Sequence, residues 1–266
     1  METKTDLPEV LVSIDIEATG RIPGPYSMIS LGAVAFSENG EEISRFKVNL
    51  EELPGSTREE YVMNWWHKQS PEAWKAATEG AIDATLAMHQ FAGWLDSLPG
   101  RPKLIGWPLM TDFMFVYWYY MEFLKEEPPF GYDGIDIKTA AAITLGVRYS
   151  EISRTMVRER FGIVGREFTH DALDDALQQA ELFFALRGRY TELRELQYLK
   201  MGVSAFGILA FILGAALLLL DLTGLGAAYY APFSSIGLFR SSLLSACGIF
   251  LFVMGWRGWF LKPKRK

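Results

Sequence analysis

Near the start of the chain, a mostly apolar stretch ends in two carboxylates that stand one residue apart. Residues 11–14 read Leu-Val-Ser-Ile, and Asp15 and Glu17 follow, separated by Ile16. A run of this kind predicts a buried β-strand. Because side chains alternate along a strand, the two carboxylates lie on the same side of it. Two carboxylates on one strand face make half of a divalent-metal site, so this segment constrains both the fold and the chemistry of the chain.

The first two thirds of the chain carry the pattern of a mixed α/β domain. Strands are predicted over residues 9–15, 28–36 and 43–50, with a turn sequence, Ser-Glu-Asn-Gly, at 37–40. Helices are predicted over residues 82–98, from about 111, over 135–145, over 151–160 and over 170–186, with a short strand at 103–107. Three hairpin strands followed by alternating helices and strands indicate a mixed β-sheet flanked by helices, in a domain that covers residues 1–190.

Three more residues have side chains that could complete the metal site. Asp112 stands near the start of a predicted helix, and His170 and Asp175 stand at the start of the last one. Carboxylates are the ligands that Mg²⁺ and Mn²⁺ prefer. An imidazole, whose ordinary pKa is about 6.5, suits proton transfer near neutral pH. Taken singly, each acid could also be an ordinary first-turn residue that interacts favourably with the helix dipole.

Together, the three segments resemble the motifs of the DEDDh exonuclease superfamily, which includes ribonuclease T, oligoribonuclease and the proofreading subunit of bacterial DNA polymerase. Residues 15–20, Asp-Ile-Glu-Ala-Thr-Gly, resemble the first motif, and residues 106–112, Gly-Trp-Pro-Leu-Met-Thr-Asp, resemble the second. His170 and Asp175, in the pattern His-x-Ala-Leu-x-Asp-Ala, resemble the third. Adjacent helical residues point about 100° apart, and the spacing from His170 favours Asp175 over Asp174 as the matching acid.

The resemblance, which covers about residues 9–187, implies a ribonuclease H-like fold and a metal-dependent 3′-5′ exonuclease. Such an enzyme would act on single-stranded RNA or DNA 3′ ends and release nucleoside 5′-monophosphates. Two Mg²⁺ or Mn²⁺ ions would be held by four carboxylates, those of Asp15, Glu17, Asp112 and Asp175. His170 would accept the proton of the attacking water. These five residues are the predicted catalytic residues.

Three further segments bear on the substrate. Residues 65–74, Trp-Trp-His-Lys-Gln-Ser-Pro-Glu-Ala-Trp, resemble a branch of ribonuclease T-like exoribonucleases. This resemblance modestly favours RNA over DNA as the substrate. Trp107-Pro108 stands where many relatives have His-Asn, a pair whose Asn commonly helps to hold the substrate or the end of the sheet. Five arginines between residues 148 and 166 either contact the substrate backbone or form a solvated helix face. The substrate preference is therefore not transferred from the resemblance.

The C-terminal part of the chain is far more apolar. Residues 201–220 are twenty consecutive uncharged positions, the length that crosses a bilayer as a helix. We therefore predict two transmembrane α-helices, at 201–221 and 236–257, in a cell-membrane protein. A basic juxtamembrane segment at 191–200 precedes them, an extracytoplasmic loop at 222–235 joins them, and a basic tail at 258–266 follows. The basic flanks place the nuclease domain and the tail in the cytoplasm.

The charge of the chain divides along the same boundary. Residues 199–266 carry seven Lys or Arg and one Asp, so the net charge of −6 consists of +6 there and −12 in residues 1–198. An acidic domain argues against nonspecific duplex binding through a broad basic surface. The lone cysteine, Cys247, excludes an intrachain disulfide.

Two alternatives remain open at this stage. The apolar C-terminal part could be a buried core hairpin in place of two membrane spans. The nuclease fold could be a catalytically inactive scaffold that recruits nucleic acid or protein to the membrane. The predicted partners are single-stranded 3′ ends and the lipid bilayer, and pairs of small residues in the spans would allow a homodimer.

Overall fold

The centre of the fold is a mixed β-sheet. The computed structural model describes residues 7–163 and 169–222, and five strands lie within them. The strands are β1 (Glu9–Ala18), β2 (Met28–Phe36), β3 (Glu42–Asn49), β4 (Arg101–Gly106) and β5 (Gly134–Asp136). Their order across the sheet is β3-β2-β1-β4-β5. The first three strands are antiparallel neighbours, whereas β4 runs parallel to both β1 and β5.

Helices follow the strands along the chain. They are α1 (Glu60–Trp66), α2 (Pro71–Thr78), α3 (Ala84–Asp96), α4 (Leu109–Leu124), α5 (Ile137–Leu145), α6 (Arg154–Phe161) and α7 (Ala172–Leu222), with a 3₁₀ turn at Tyr149–Glu151. The chain divides into two compact units, Met1–Gly188 and Arg189–Lys266. The sheet and the residues of the predicted active site belong to the first unit.

Helices cover both faces of the sheet. Helices α3 and α4 pack on one face, where Val12 and Ile14 of β1 meet Phe91 and Phe115. Helices α5 and α6 and the start of α7 pack on the other face, where Leu11 of β1 is buried. A strand that is covered on both sides needs apolar residues at nearly every position, and β2 is buried along its whole length. The odd-numbered positions of β1 face α7, which is the side that carries the two predicted metal ligands.

The predicted mixed α/β sheet with flanking helices is confirmed, with local differences. The three N-terminal strands, β4 and helices α3 to α6 lie where the sequence predicts them, within a few residues. Strand β5 was not predicted, because its three residues give no periodic pattern and residue 135 was assigned to the following helix. Helices α1 and α2 were also missed, since each is only seven or eight residues long.

The predictions for the C-terminal part are not supported where they can be examined. Residues 201–221 are the last part of α7, which continues without a break from a charged segment, rather than a separate helix. Within residues 7–163 and 169–222, no helix is long and apolar enough to cross a membrane. The loop, the second span and the tail predicted beyond residue 222 lie outside the described residues, as does Cys247.

Candidate active site

Four carboxylates converge where β1 ends. Asp15 and Glu17 project from β1, Asp112 lies in the first turn of α4, and Asp175 lies in the first turn of α7. All four side chains are buried, with at most 8% of each residue exposed. Burial of this kind is exceptional for acids, which are almost never fully buried unless they have a partner. The cluster therefore needs a specific compensation.

Helix α4 is tied to β1 between its two carboxylates. The Oδ1 atom of Asp112 accepts a hydrogen bond from the backbone N–H of Ile16 at 3.1 Å. Ile16 stands between Asp15 and Glu17, so this bond sets the distance of the α4 carboxylate from both. Pro108 occupies the position before the first helical turn, where an extended backbone suits it. The short connection from β4 into α4 thus delivers Asp112 to the strand end.

The start of α7 packs directly on the sheet. A Cβ atom on Gly32 of β2 would lie 2.2 Å from the carbonyl carbon of Ala172, so only glycine permits this approach. The hydroxyl of Ser13 on β1 donates a hydrogen bond to the carbonyl of Ala176 at 2.7 Å. These two contacts hold the first turns of α7 against β1 and β2. Asp175 reaches the strand carboxylates as a result.

His170 lies in the loop before α7, with a left-handed backbone (φ 55°). The next residue, Asp171, accepts hydrogen bonds at Oδ1 from the N–H groups of Leu173 and Asp174, at 3.1 and 3.3 Å, and so caps the helix. Its Oδ2 atom pairs with Nζ of Lys47 on β3 at 2.6 Å. The loop is therefore anchored both to the helix that follows and to the sheet.

The imidazole of His170 faces the carboxylates. Its Nδ1 atom lies 4.0 Å from Oε1 of Glu17, and its ring meets the ring of Trp65 edge-on, with centroids 4.7 Å apart. Glu17, His170 and Asp175 each offer a ligand atom within 4.8 Å of the other two. Sequence positions 17, 170 and 175 thus come together at one point, as proton transfer beside a metal site requires.

Burial raises the pKa of all four carboxyl groups. For Asp15 and Glu17 the pKa rises well above the ordinary value, and repulsion from the neighbouring carboxylates adds to the effect of burial. Burial raises the pKa of Asp112 to about 7 and the pKa of Asp175 to about 6. The positive charge of Arg154 lowers the pKa of each of the four. A carboxylate cluster of this kind favours a cation beside it.

His170 shifts in the opposite direction. Burial is the main cause of a pKa below the usual 6.5, and the charge of Arg154 contributes to it. The imidazole is therefore neutral at physiological pH. A neutral imidazole can accept a proton, which is the state that a general base needs.

The donor set fits divalent cations. The Oδ1 atom of Asp175 is buried and has no hydrogen-bond partner within residues 7–163 and 169–222. A buried polar atom without a partner is costly, and a bound cation would remove that cost. The surrounding ligand atoms are carboxylate oxygens, which suit Mg²⁺ and Mn²⁺. The carboxylates of Asp15, Glu17, Asp112 and Asp175 could hold such ions.

The two adjacent acids at the start of α7 have different surroundings. The Oδ2 atom of Asp174 accepts hydrogen bonds from the hydroxyl of Thr169 at 3.2 Å and from Nε2 of Gln178 at 2.9 Å. Asp174 is thus engaged in holding the His170 loop, whereas Asp175 points to the carboxylate cluster. This arrangement matches the spacing argument made from the sequence.

The arginines of residues 148–166 are largely engaged within the protein. Arg148 pairs with Glu151, Arg158 donates to Gln178, and Arg154 donates to the carbonyl of Trp107 at 2.6 Å. Arg166 lies outside the described residues. Arg154 acts on all five site residues electrostatically, a role that the sequence did not indicate. Gln179, which bonds to Asp15, was also missed; its spacing of one helical turn from Asp175 places it on the same helix face but does not indicate its partner.

Comparison with known proteins identifies relatives of this fold and site. The 3′-5′ exoribonuclease Rv2179c-like domain family matches residues 11–186. The chain is also 31% identical, over 183 residues, to the 3′-5′ DNA exonuclease Cap18 of Escherichia coli. That alignment covers 66% of this chain and 90% of Cap18.

Several solved structures share the fold. The nuclease domain of 3′hExo, a DEDDh family member bound to rAMP, superposes with a TM-score of 0.53 at 16% identity over 68% of this chain and 92% of that one. For S. pombe Pop2p in its Mg²⁺- and Mn²⁺-bound form the TM-score is 0.52 at 18% identity, over 70% and 85% of the chains. E. coli exonuclease I in complex with a dT13 oligonucleotide gives 0.53 at 11% identity, over 71% and 43%.

At these identities the structural likeness concerns the fold, and it confirms the predicted ribonuclease H-like architecture. The match to the family covers most of the first unit, and the alignment with Cap18 spans nearly all of that protein. The chain therefore belongs to the 3′-5′ exoribonuclease Rv2179c-like domain family, and it is a 3′-5′ exonuclease.

Proposed function

We propose that Asp15, Glu17, Asp112 and Asp175 hold two divalent ions, Mg²⁺ or Mn²⁺, and that His170 is the general base of phosphodiester hydrolysis. The observation that carries this proposal is the unpartnered, buried Oδ1 atom of Asp175 beside three more buried carboxylates. Bound divalent ions would activate a water and stabilise the charge on the leaving oxygen. The products are nucleoside 5′-monophosphates.

The protein's own residues contribute the proton transfer and the orientation. The neutral imidazole of His170 accepts the proton of the attacking water, because burial keeps its pKa below the usual value. The ring contact with Trp65 and the capping of α7 by Asp171 keep the imidazole on the carboxylate side of the loop. Glu17, 4.0 Å from the ring, would stabilise the protonated form as it appears.

An exonuclease assay tests this proposal. End-labelled oligonucleotides, incubated with the full-length protein and Mg²⁺, should be shortened from the 3′ end. Asp15→Asn should reduce the rate by about 10³-fold, since it replaces a charged metal ligand by a neutral side chain of nearly the same shape. Asp83→Asn is the matched control, because Asp83 caps α3 and asparagine caps equally well. Equal rates for Asp15→Asn and wild type would contradict the proposed metal site.

We further propose single-stranded 3′ ends as the substrate, with RNA modestly favoured over DNA. The family is described as exoribonucleases, which supports RNA. The relative Cap18 is described as a DNA exonuclease, which makes DNA the second candidate. Side-by-side digestion of RNA and DNA oligonucleotides of identical sequence measures the ratio of kcat/KM for RNA to kcat/KM for DNA. A ratio below one would make DNA the preferred substrate, and it would not change the proposed roles of the catalytic residues.

Membrane attachment, with the nuclease domain facing the cytoplasm, is proposed on the sequence alone. Residues 201–220 are uncharged, and basic residues stand before and after the apolar part. The helices of the described residues give it no support. Carbonate extraction of cell membranes separates the alternatives, because an integral protein stays in the pellet and a peripheral one is released. Light scattering of the purified chain tests the predicted homodimer.

A further inference from the structure

A single buried glutamine connects three elements of the active site. Gln179 lies on α7, one turn beyond Asp175, and is fully buried. Its Nε2 atom donates a hydrogen bond to Oδ1 of Asp15 at 2.5 Å. Its Oε1 atom accepts a hydrogen bond from the backbone N–H of Trp107 at 2.6 Å. Gln179 therefore joins α7 both to β1 and to the residue that follows β4.

The orientation of this amide is fixed by its partners. The backbone N–H of Trp107 can only donate, so it must face Oε1 of Gln179 and not the amide NH₂ group. The NH₂ group consequently faces Asp15, whose carboxylate accepts. A flipped amide would set two donors against each other at Trp107 and two acceptors against each other at Asp15. The bond thus fixes the direction in which the Asp15 carboxylate points.

The peptide group of Trp107 is held on its other side as well. The guanidinium of Arg154 on α6 donates a hydrogen bond to the carbonyl oxygen of Trp107 at 2.6 Å. Trp107 is followed by Pro108 and then by α4, which carries Asp112. Neither Trp107 nor Pro108 has a side-chain amide or carboxylate that could hold this end of the sheet. Gln179 supplies an amide from the neighbouring helix instead.

We propose that Gln179 is a positioning residue, which orients Asp15 for a divalent cation. This inference rests on the proposed function of Asp15 as a metal ligand. A carboxylate that binds a metal needs an outer hydrogen-bond partner to fix its orientation, and removal of such a partner typically costs about 10- to 100-fold in metal affinity or activity. Gln179 makes no contact with the reacting atoms, so its effect is transmitted through Asp15.

Mn²⁺ binding to the full-length protein, measured by electron paramagnetic resonance without substrate, tests this inference. Gln179→Met preserves the length and bulk of the side chain but can bond to neither partner. We expect its Mn²⁺ affinity to fall about 10- to 100-fold. The exonuclease rate should fall most at low Mn²⁺ and recover partly at saturation. A residue that served only the stability of the fold would leave the Mn²⁺ affinity unchanged.

Gln178→Met is the matched control. Gln178 is the neighbouring glutamine of α7, it is also buried, and it is also bonded at both amide atoms, to Asp174 and Arg158. It bonds to none of the four carboxylates of the site. We therefore expect wild-type Mn²⁺ affinity from Gln178→Met.

Two further variants keep the outcomes distinct. Gln179→Asn replaces Gln179→Met in the experiment if the latter does not fold. Its side chain is one methylene shorter and can keep at most one of the two bonds, so we expect an intermediate loss of Mn²⁺ affinity. Asp15→Asn should abolish the binding of at least one Mn²⁺ ion. If the wild type binds no Mn²⁺, or if Asp15→Asn changes nothing, the proposed metal site fails. If Asp15→Asn abolishes binding but the folded Gln179 variants bind like wild type, only the inference about Gln179 is overturned.

Discussion

The carboxylates and the imidazole of the active site are anchored in different ways. The carboxylates project from β1, α4 and α7, and at most 8% of each of these residues is exposed. His170 stands in a loop with a left-handed backbone, and 26% of its side chain is exposed. The proposed metal ligands are thus part of the protein core, whereas the proposed base is held by contacts closer to the surface. A fixed set of ligands and a more adjustable base suit a reaction in which the substrate must enter between them.

The two groups also differ in electrostatics. Burial raises the pKa of each carboxyl group, and repulsion from the other carboxylates of the site adds to this for Asp15 and Glu17, so a nearby cation would favour the ionised forms. Burial lowers the pKa of His170, so its neutral form is the favourable one. A bound cation would therefore stabilise the ionised carboxylates, whereas the neutral imidazole needs no cation. The following predictions test this distinction.

The largest effect is expected from Asp175→Asn. Loss of this ligand should reduce the exonuclease rate by about 10³-fold and weaken Mn²⁺ binding, because metal ions contribute several kcal/mol to transition-state stabilisation. The metal-free protein should become more thermostable, since an amide replaces a buried acid that resists ionisation. Asp174→Asn, one residue away, is the control and should retain most of the activity. Equal losses from the two variants would show that the metal site is not formed by Asp175.

His170→Ala should reduce kcat by about 10²- to 10⁴-fold, the usual contribution of a general base. Mn²⁺ affinity should remain close to that of the wild type, because the carboxylates hold the ions. In the wild type, protonation of His170 at a pH below its ordinary pKa of 6.5 removes the base and lowers the rate. This acid limb of the pH–rate profile should be absent from the residual activity of the variant. His67→Ala, an exposed histidine after α1, serves as control. A large fall in Mn²⁺ affinity would instead make His170 a ligand, as its place beside Glu17 and Asp175 also allows.

The carboxylate group could be predicted from the sequence, and the reasons are local. Strand alternation alone places Asp15 and Glu17 on one side of β1, whereas Asp112 is indicated by the resemblance of residues 106–112 to a family motif. The spacing within one helical turn separates Asp175 from Asp174. Each of these arguments uses residues that are close in sequence, where the geometry of a strand or a helix determines the direction of the side chain. The continuity of α7 was also accessible, since no proline interrupts residues 172–222.

The contacts that hold the site together could not be predicted in this way. Gln179 bonds to Asp15 across 164 residues, and Lys47 pairs with Asp171 across 124 residues. Which helix face meets which strand depends on the packing of the whole domain, including the close approach that Gly32 allows. A single sequence contains no periodicity that reports such meetings. The sequence therefore predicts the candidate reacting groups, and only the structure shows the residues that hold them in place.

A smaller effect is expected from Lys47→Met, which breaks the ion pair that anchors the His170 loop to β3. The two side chains of this pair are 27% and 30% exposed, so its contribution is about 1 kcal/mol or less, equivalent to a loss of up to about five-fold in kcat. The loss should vanish in the His170→Ala background, because Lys47 acts only through the imidazole. Lys103→Met breaks a comparable pair with Asp133 elsewhere on the sheet and should leave kcat unchanged. Additive losses in the double variant would exclude this role for Lys47.

The last prediction concerns the thermal stability of the metal-free protein, and not its activity. Burial raises the pKa of Asp112 to about 7, against an ordinary value of 3.8. Between these two values the folded protein holds more protons than the unfolded chain, so its stability falls as the pH rises from about 4 to about 7 and then levels off.

The lowered pKa of His170 has the opposite effect on the pH dependence of stability, but it is a single imidazole, whereas four carboxyl groups have a raised pKa. In EDTA we expect the Tm of the wild type to fall by roughly 10 °C over this range relative to Asp112→Asn, because a pKa of about 7 against 3.8 corresponds to about 4 kcal/mol and each kcal/mol shifts the Tm of a domain of this size by about 2–4 °C. Asparagine keeps the acceptor for the N–H of Ile16, so the variant isolates the charge. Saturating Mg²⁺ should remove the difference in slope, because the bound cation compensates the same charge that the proton compensates at low pH. Parallel Tm curves for the two proteins in EDTA would mean that Asp112 ionises freely, and the argument that the carboxylates require a cation would fail.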